Sequence, residues 1–239
     1  MGSPFRLDGK RCVVIGAGSG IGLATSELLA ELGATVVMAD LEERPDLAAR
    51  IGPSAFPGRC DLRRHETVEA LFSSQSQVDA LVICAGICPW DDWEDPGWDK
   101  SMALVHAINL QGVIACCRSA CRVMRGRGGR IVLVSSLAGR NGGLSASPHY
   151  VSSKGGLNAF AKWLAKREGR NGITVNVVAP ASIATPMMAG RTVDTAGVPL
   201  GRMGRAEEVA APIAFLCGPG ASYMTGATID VNGGVYMAP

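Results

Sequence analysis

Histidine is scarce in these 239 residues, at three, and no two of the eight cysteines are spaced C-x-x-C. His65, His106 and His149 stand at no finger-like spacing, so neither a zinc site nor a disulfide framework is expected and no metal is assigned. Cys84 and Cys88 flank an apparent strand end, while Cys116, Cys117 and Cys121 sit in an apolar helical segment; all read as small packing residues kept reduced. An excess of one charge is also missing. The formal net charge is +2, which gives no reason to expect nucleic acid or a membrane surface as partner. No apolar run approaches the roughly 20 residues of a membrane span. Residues 1–6, MGSPFR, lack the apolar core of a secretory signal, so the expected location is cytoplasmic. What is present, 47% hydrophobic and 18% charged residues, is the content of a compact globular chain able to bury a large core.

Apolar runs and helical patterns alternate along that chain. Cys12 to Ile15 reads as a fully buried strand, and it runs directly into the glycine-rich stretch 16–22, GAGSGIG, and then a helix. Glycines between a strand and a helix allow a tight turn and a close approach of helix N–H groups to a pyrophosphate. A second buried strand, 33–40, ends in Asp40, about 20 residues beyond the glycines, where a carboxylate can accept from both ribose hydroxyls and repel a 2′-phosphate. Arg44 nearby is the residue that could tolerate such a phosphate. A strand near 55–60 leads to Asp61 and Leu62, and the strand 78–84 to Ala85 and Gly86. The stretch 89–98 breaks the rhythm with three tryptophans and several acids. Beyond it a helix is expected from about Met102 through Val123, with Asn109 in a mid-helix place that asparagine disfavours. The basic, glycine-rich turn 122–130 reads as a solvated loop. The strands 131–136 and 173–178 follow, then an aperiodic segment 183–204 with the character of a lid, a helix near 207–217 and a last strand near 227–231. No linker interrupts the alternation, which predicts a single α/β domain, a Rossmann-like doubly wound parallel sheet.

One constellation carries chemistry. Tyr150 and Lys154 lie four residues apart, hence on one face of a helix. A lysine ammonium beside a phenol favours the phenolate and is expected to lower the tyrosine pKa towards that of a working acid/base. Ser136, at the carboxyl end of a strand, can offer its hydroxyl to a carbonyl or alcohol oxygen.

In this order the elements resemble those of the single-domain short-chain dehydrogenases/reductases, over nearly the whole chain: the loop 16–22, Asp61, Ala85-Gly86, Asn109, Ser136, Tyr150-x-x-x-Lys154, Pro180 with Thr185, and the closing 226–234. The resemblance implies a seven-stranded parallel sheet with helices on both faces, assembled as a homotetramer or dimer. It implies Tyr150 as acid/base, Lys154 as the residue that tunes it and holds the nicotinamide ribose, Ser136 as the orienter of the substrate oxygen, and Asn109 as support for a proton relay. For the cofactor it implies Gly16, Ser19, Gly20 and Ile21 around phosphates and ribose, Asp40 and Leu41 at the adenosine ribose, and Asp61 with Leu62 at the adenine. Ala85 and Gly86 would pass beside it, and Pro180, Ile183 and Thr185 would anchor the carboxamide.

Some positions depart from the family pattern. Ile15 and Ile83-Cys84 stand where polar side chains usually tie the first strand to the fourth; losing both partners together can be nearly neutral. Ala181 replaces a glycine after Pro180. Ser136 precedes Tyr150 by fourteen residues where thirteen is common, which leaves Ser135 as an alternative and asks the loop 139–148 to absorb one residue. The expected activity is NAD-linked interconversion of a secondary alcohol and a ketone, with NADP less favoured. The alternatives are an NADPH-dependent reductase of 3-oxoacyl thioesters and a dinucleotide-sensing regulator without turnover. The substrate is expected to be a small molecule in an apolar pocket, with Trp93 and His149 as candidate contacts.

Overall fold

The computed structural model describes residues 3–143 and 146–238. Leu144 and Ser145, in the loop expected to absorb the extra residue, lie outside the described residues, as do Met1, Gly2 and Pro239. The strands are β1 (Arg11–Ile15), β2 (Thr35–Asp40), β3 (Ala55–Arg59), β4 (Ala80–Ile83), β5 (Gly129–Val134), β6 (Ile173–Pro180), β7 (Ile183–Ala184), β8 (Gly204–Arg205) and β9 (Thr228–Val231). Seven of them form one sheet in the order β3-β2-β1-β4-β5-β6-β9, every pair parallel. The helices are α1 (Gly20–Glu31), α2 (Pro45–Ile51), α3 (His65–Ser73), α4 (Trp98–His106), α5 (Val113–Met124), α6 (Ala138–Asn141), α7 (Pro148–Glu168) and α8 (Ala206–Cys217).

Unbroken apolar strands make sense only if both faces of the sheet are covered. Successive side chains point to opposite faces, so Val13 and Ile15 join one core with residues of α3, α5 and α7, while Cys12 and Val14 join another with α1, α2 and α8. Each fully buried aliphatic side chain contributes about 1.5–3 kcal/mol, so the two cores hold the sheet between them. The eight cysteines are free, and all but Cys84 are buried as packing residues.

Where the family's polar ties between β1 and β4 are replaced by Ile15 and Ile83-Cys84, backbone bonds serve: Cys84 and Ala85 N–H both donate to the Ile15 carbonyl, at 2.9 and 3.0 Å. The basic turn is partly structural, because Arg122 pairs with Glu69 at 3.1 Å and Arg125 with the buried Glu168 at 2.7 Å. The helical stretch Trp98–Met124 starts four residues earlier than expected and is broken by a π-turn at Ala107–Gly112. By length and composition it could cross a membrane, with a hydropathy of 1.2. It instead packs on α3 and α7 and carries Arg118 and Arg122 against Glu69. The segment 183–204 is closed at its ends by the two-residue pair β7–β8, which periodicity did not announce.

Strand order reverses between β1 and β4, and the carboxyl ends of β1 to β6 all open on one edge. Gly16, Asp40, Asp61, Ala85-Gly86, Ser136 and Pro180 therefore come to that edge from six different strands, the crevice where open α/β sheets place ligands.

Candidate active site

The first half of the edge is built from backbone. Gly16 has φ +83°, and a Cβ there would stand 2.5 Å from the Ala85 nitrogen, so only glycine lets the β1 turn pass under the β4 end. The turn is pinned by the Gly16 and Ala17 N–H groups donating to the Ala39 carbonyl at 2.8 and 3.2 Å. Ser19 precedes α1 in extended conformation and makes no side-chain cap, and the first turn, Gly20 and Ile21 included, holds no acid. Its uncapped N–H groups and the helix dipole suit an anion. Asp40 ends β2 with one carboxylate oxygen accepting from Gly18 N–H and the other from Leu41 N–H, both at 2.7 Å. Arg44 points its guanidinium at Asp46, at 2.7 and 3.0 Å, and so is already engaged. Asp61 is buried and bidentate with Arg63, at 2.8 and 2.7 Å; that bond holds its carboxyl below the usual range despite burial. Leu62 is buried beside it.

The second half is built from side chains. Asn109 is 0% exposed, and it sits in the π-turn rather than in regular α-helix, which resolves its unfavourable mid-helix place. It clamps the backbone of Ile87: the amide donates to the Ile87 carbonyl at 2.9 Å and its oxygen accepts from Ile87 N–H at 2.9 Å. It also reaches Ser153 on α7 at 3.3 Å. Gly86 lies against both Asn109 and Lys154; a Cβ there would be 3.3 Å from the Asn109 oxygen and 3.3 Å from the Lys154 Nζ. Lys154 is 3% exposed and donates to the Val134 carbonyl at 2.9 Å. Burial lowers its ammonium to about 8, against an upward pull from Cys84 and Cys88.

Ser135 and Ser136 part company at the end of β5. Ser135 is buried and donates to the Lys154 carbonyl at 3.1 Å, so it ties β5 to α7. Ser136 accepts from Ala138 N–H at 3.1 Å and acts on the Tyr150 hydroxyl to lower its pKa. Burial pushes the Tyr150 phenol up to about 12, against the lowering effect of Ser136, with Cys88 adding to the rise. Lys154 was expected to lower this pKa. In this arrangement its Nζ lies 5.7 Å from the ring centroid and is spent on Val134, so loss of water around the phenol decides the direction.

Pro180, the last residue of β6, accepts from Leu137 N–H at 2.8 Å, while Ile183 is buried and Thr185 packs beside Gly20. The glycine turn and the carboxamide-anchor candidates therefore share one end of the crevice. The residues at this edge fit a nicotinamide dinucleotide: a glycine cradle at an uncapped helix start, a strand-end acid for a ribose, and a buried lysine.

The outer rim differs from expectation. Trp93 is 64% exposed, whereas His149 is 1% exposed and turned inward against Trp98, Asp91 and Ser101, so it lines no open surface. Trp90 takes φ +66°, rare for a bulky residue, and the Arg191 guanidinium of the 183–204 segment stacks 4.0 Å above its ring. The sequence reading missed Cys88, which neighbours Tyr150 and Lys154, and the Ile87 clamp. A C-terminal anchor, Arg140 bidentate to Asp230 at 3.1 Å, was missed as well.

A family model described as enoyl-(acyl carrier protein) reductase matches residues 16–236. The (3R)-3-hydroxyacyl-CoA dehydrogenase of Mus musculus is 36% identical, over 99% of this chain and 100% of its own. The cis-4-hydroxycyclohexanecarboxylate dehydrogenase of Sinomonas cyclohexanicum is 39% identical, over 93% of this chain and 94% of its own. Among solved structures, a short-chain type dehydrogenase/reductase from Mycobacterium marinum superposes with a TM-score of 0.93 at 30% identity, covering 98% of each chain. A protein described as an NAD(P)-dependent gluconate 5-dehydrogenase, from Beutenbergia cavernae and with bound NADP, gives 0.91 at 31% identity, over 98% of this chain and 99% of that one.

Proposed function

The chain belongs to the short-chain dehydrogenase/reductase family, and from that premise we propose that this oxidoreductase is an NAD-linked dehydrogenase of a secondary alcohol, or the matching ketone reductase. The observation that carries the reading is the convergence of Ser136, Tyr150 and Lys154, from β5 and α7, beside Gly86 at the end of β4. When bound, the nicotinamide supplies the hydride acceptor for oxidation and the donor for reduction. The chain's own task is the proton. Ser136 orients the substrate oxygen; Tyr150, protonated at neutral pH with its high pKa, gives its proton to a carbonyl oxygen that is being reduced. In oxidation the group must first release its proton to solvent; the phenolate, offset by the buried Lys154 charge, then takes the alcohol proton and becomes the hydroxyl again. Asn109, clamped to Ile87 and reaching Ser153, holds the floor of this path.

The cofactor-binding residues we propose are Gly16, Ser19, Gly20, Ile21, Asp40, Leu41, Asp61, Leu62, Ala85, Gly86, Pro180, Ile183 and Thr185, with Tyr150 and Lys154 at the nicotinamide end. Asp40, a strand-end carboxylate beside the glycine turn that would bind a ribose and repel a 2′-phosphate, supports NAD over NADP, as does Arg44 held by Asp46. The alternative, reduction of 3-oxoacyl thioesters, draws on the 3-hydroxyacyl-CoA relative and would go with NADPH. One domain, a cytoplasmic location and a homotetramer complete the proposal. Exposed Met102, Leu104 and Ile114 on the α4–α5 stretch and Trp163 on α7 give copies of this chain an apolar face to share.

A panel of cis-4-hydroxycyclohexanecarboxylate, a 3-hydroxyacyl-CoA and simple cyclic alcohols, assayed with NAD, tests the activity. Turnover of at least one alcohol is expected, with Tyr150→Phe losing ~10²–10⁴-fold in kcat. Turnover that survives Tyr150→Phe, or none on any alcohol or its ketone, contradicts it.

A further inference from the structure

His149 adjoins Tyr150, yet its imidazole faces away from the proton path. It is fully buried, and its bonds join three separate pieces of chain. The ring stacks on Trp98, the first residue of α4, with centroids 4.5 Å apart and planes at 7°. Its Nε2 lies 2.7 Å from Asp91 Oδ1, in the loop after β4, and 3.2 Å from the Ser101 hydroxyl on α4. That Asp91 oxygen is buried and accepts no aligned hydrogen bond from the described residues, so its approach to Nε2 is a close polar contact. Nδ1 is buried without a partner, so a proton there would be an orphaned donor; on Nε2 a proton has the Ser101 hydroxyl as hydrogen-bond partner and the Asp91 carboxylate as its nearest charge. Burial acts to raise the Asp91 carboxyl, but Ser101, the local backbone and His149 outweigh it and keep the group ionised.

The loop this bond restrains has little else to hold it. Residues 87–97 follow the Asn109 clamp at Ile87. Their other hydrogen bonds among the described residues are local, such as Asp92 N–H to Asp95 and Glu94 N–H to Asp92. Across the crevice the Arg191 guanidinium, from the 183–204 segment, stacks on Trp90. The same loop carries Cys88, which adds to the rise of the Tyr150 phenol. At its other end the bond acts on the first turn of α7, which begins with Pro148 and has no side-chain cap from Ser147.

We infer that His149 is a positioning residue: its polar contacts with Asp91 and Ser101 lock the loop 87–97 and α4 onto the start of α7, fixing together the Tyr150 turn and the wall that faces the substrate. The inference rests on the proposed role of Tyr150. It assigns to the interior a histidine that its place in a pocket-forming segment had offered as a substrate contact, and it makes loop order a property of one buried ring.

The test pairs His149→Phe, which keeps the ring and the stack on Trp98 but loses the donor, with His149→Gln, which places an N–H near the Nε2 position. Amide hydrogen exchange of 87–97 is measured with and without saturating NADH, beside steady-state kinetics on whichever alcohol of the panel the wild type oxidises. His149→Phe is expected to speed exchange of the loop on the order of tenfold and to lower kcat/KM by a similar factor, mostly through KM, a loss of ~1.4 kcal/mol. NADH affinity should stay within about twofold, and His149→Gln should recover most of both losses. Unchanged loop exchange and KM in a folded His149→Phe overturns the inference, as does a drop in melting temperature with the kinetics intact. If His149→Phe does not fold, Asp91→Ala removes the bond from the exposed side and is read the same way. Exchange needs no substrate, so a chain that turns over no alcohol would sink the dehydrogenase reading and still decide the lock.

Discussion

The two rims of the crevice are made differently. On the β1–β2 side the ligand surface is backbone: the turn at Gly16, the N–H groups of Gly18 and Leu41 on Asp40, and the uncapped start of α1. On the β4–β6 side it is side chain reaching across long stretches of chain: Asn109 to Ile87, Asp91 to His149, Arg191 to Trp90. A surface of backbone is rigid and serves a ligand that is the same throughout a family. A surface of latched loops can be retuned residue by residue, which suits the part that chooses the substrate.

The largest expected effect attacks the backbone rim. Gly16→Val must adopt φ +83° and meet the Ala85 nitrogen, so NADH affinity should fall by ~100-fold or more in fluorescence titration. A valine tolerated there would erase the contrast. Next comes Asp40→Ala. It removes an acceptor of two N–H bonds and the proposed ribose acceptor, and should weaken NADH on the order of tenfold while NADPH binding changes little.

A pH effect sharpens the side-chain rim. Burial brings Lys154 from the ordinary lysine range down to about 8, so the folded chain binds fewer protons than the unfolded one between that pH and the ordinary value. Stability should therefore rise with pH above about 8 relative to Lys154→Met. The gain is opposed once Tyr150 begins to titrate in the unfolded chain, because its folded pKa is raised to about 12. Melting temperatures of both proteins from pH 7 to 10 should diverge in favour of the native chain; parallel curves would mean that the lysine is hydrated. The smallest effect is Trp93→Ala, at a 64% exposed side chain, which should leave NADH affinity within about twofold and folding stability within about 0.5 kcal/mol.

How legible each rim was in the sequence follows from the same contrast. The glycine turn, the strand-end Asp40 and the alternation of strands with helices are local patterns, and the sheet order and the crevice edge follow from them. Tyr150 and Lys154 were legible because four residues on a helix define a face. The choice between Ser135 and Ser136 was not, since two adjacent residues at a strand end point opposite ways and only the partner of each decides. The π-turn at Asn109 depends on a backbone 22 residues away. Asp91, one acid among several in its loop, gave no sign of a partner near Tyr150. The direction of the Tyr150 shift was misread because the motif shows the lysine but not the burial.

The central claim is that this crevice holds NAD through Asp40, and it is tested most directly by titrating the native protein with NADH and with NADPH and comparing dissociation constants. NADH tighter by about tenfold or more, ~1.4 kcal/mol, is the predicted result. NADPH bound equally well or more tightly would contradict it, shifting weight from Asp40 to Arg44 and bringing the 3-oxoacyl thioester reductase to the front.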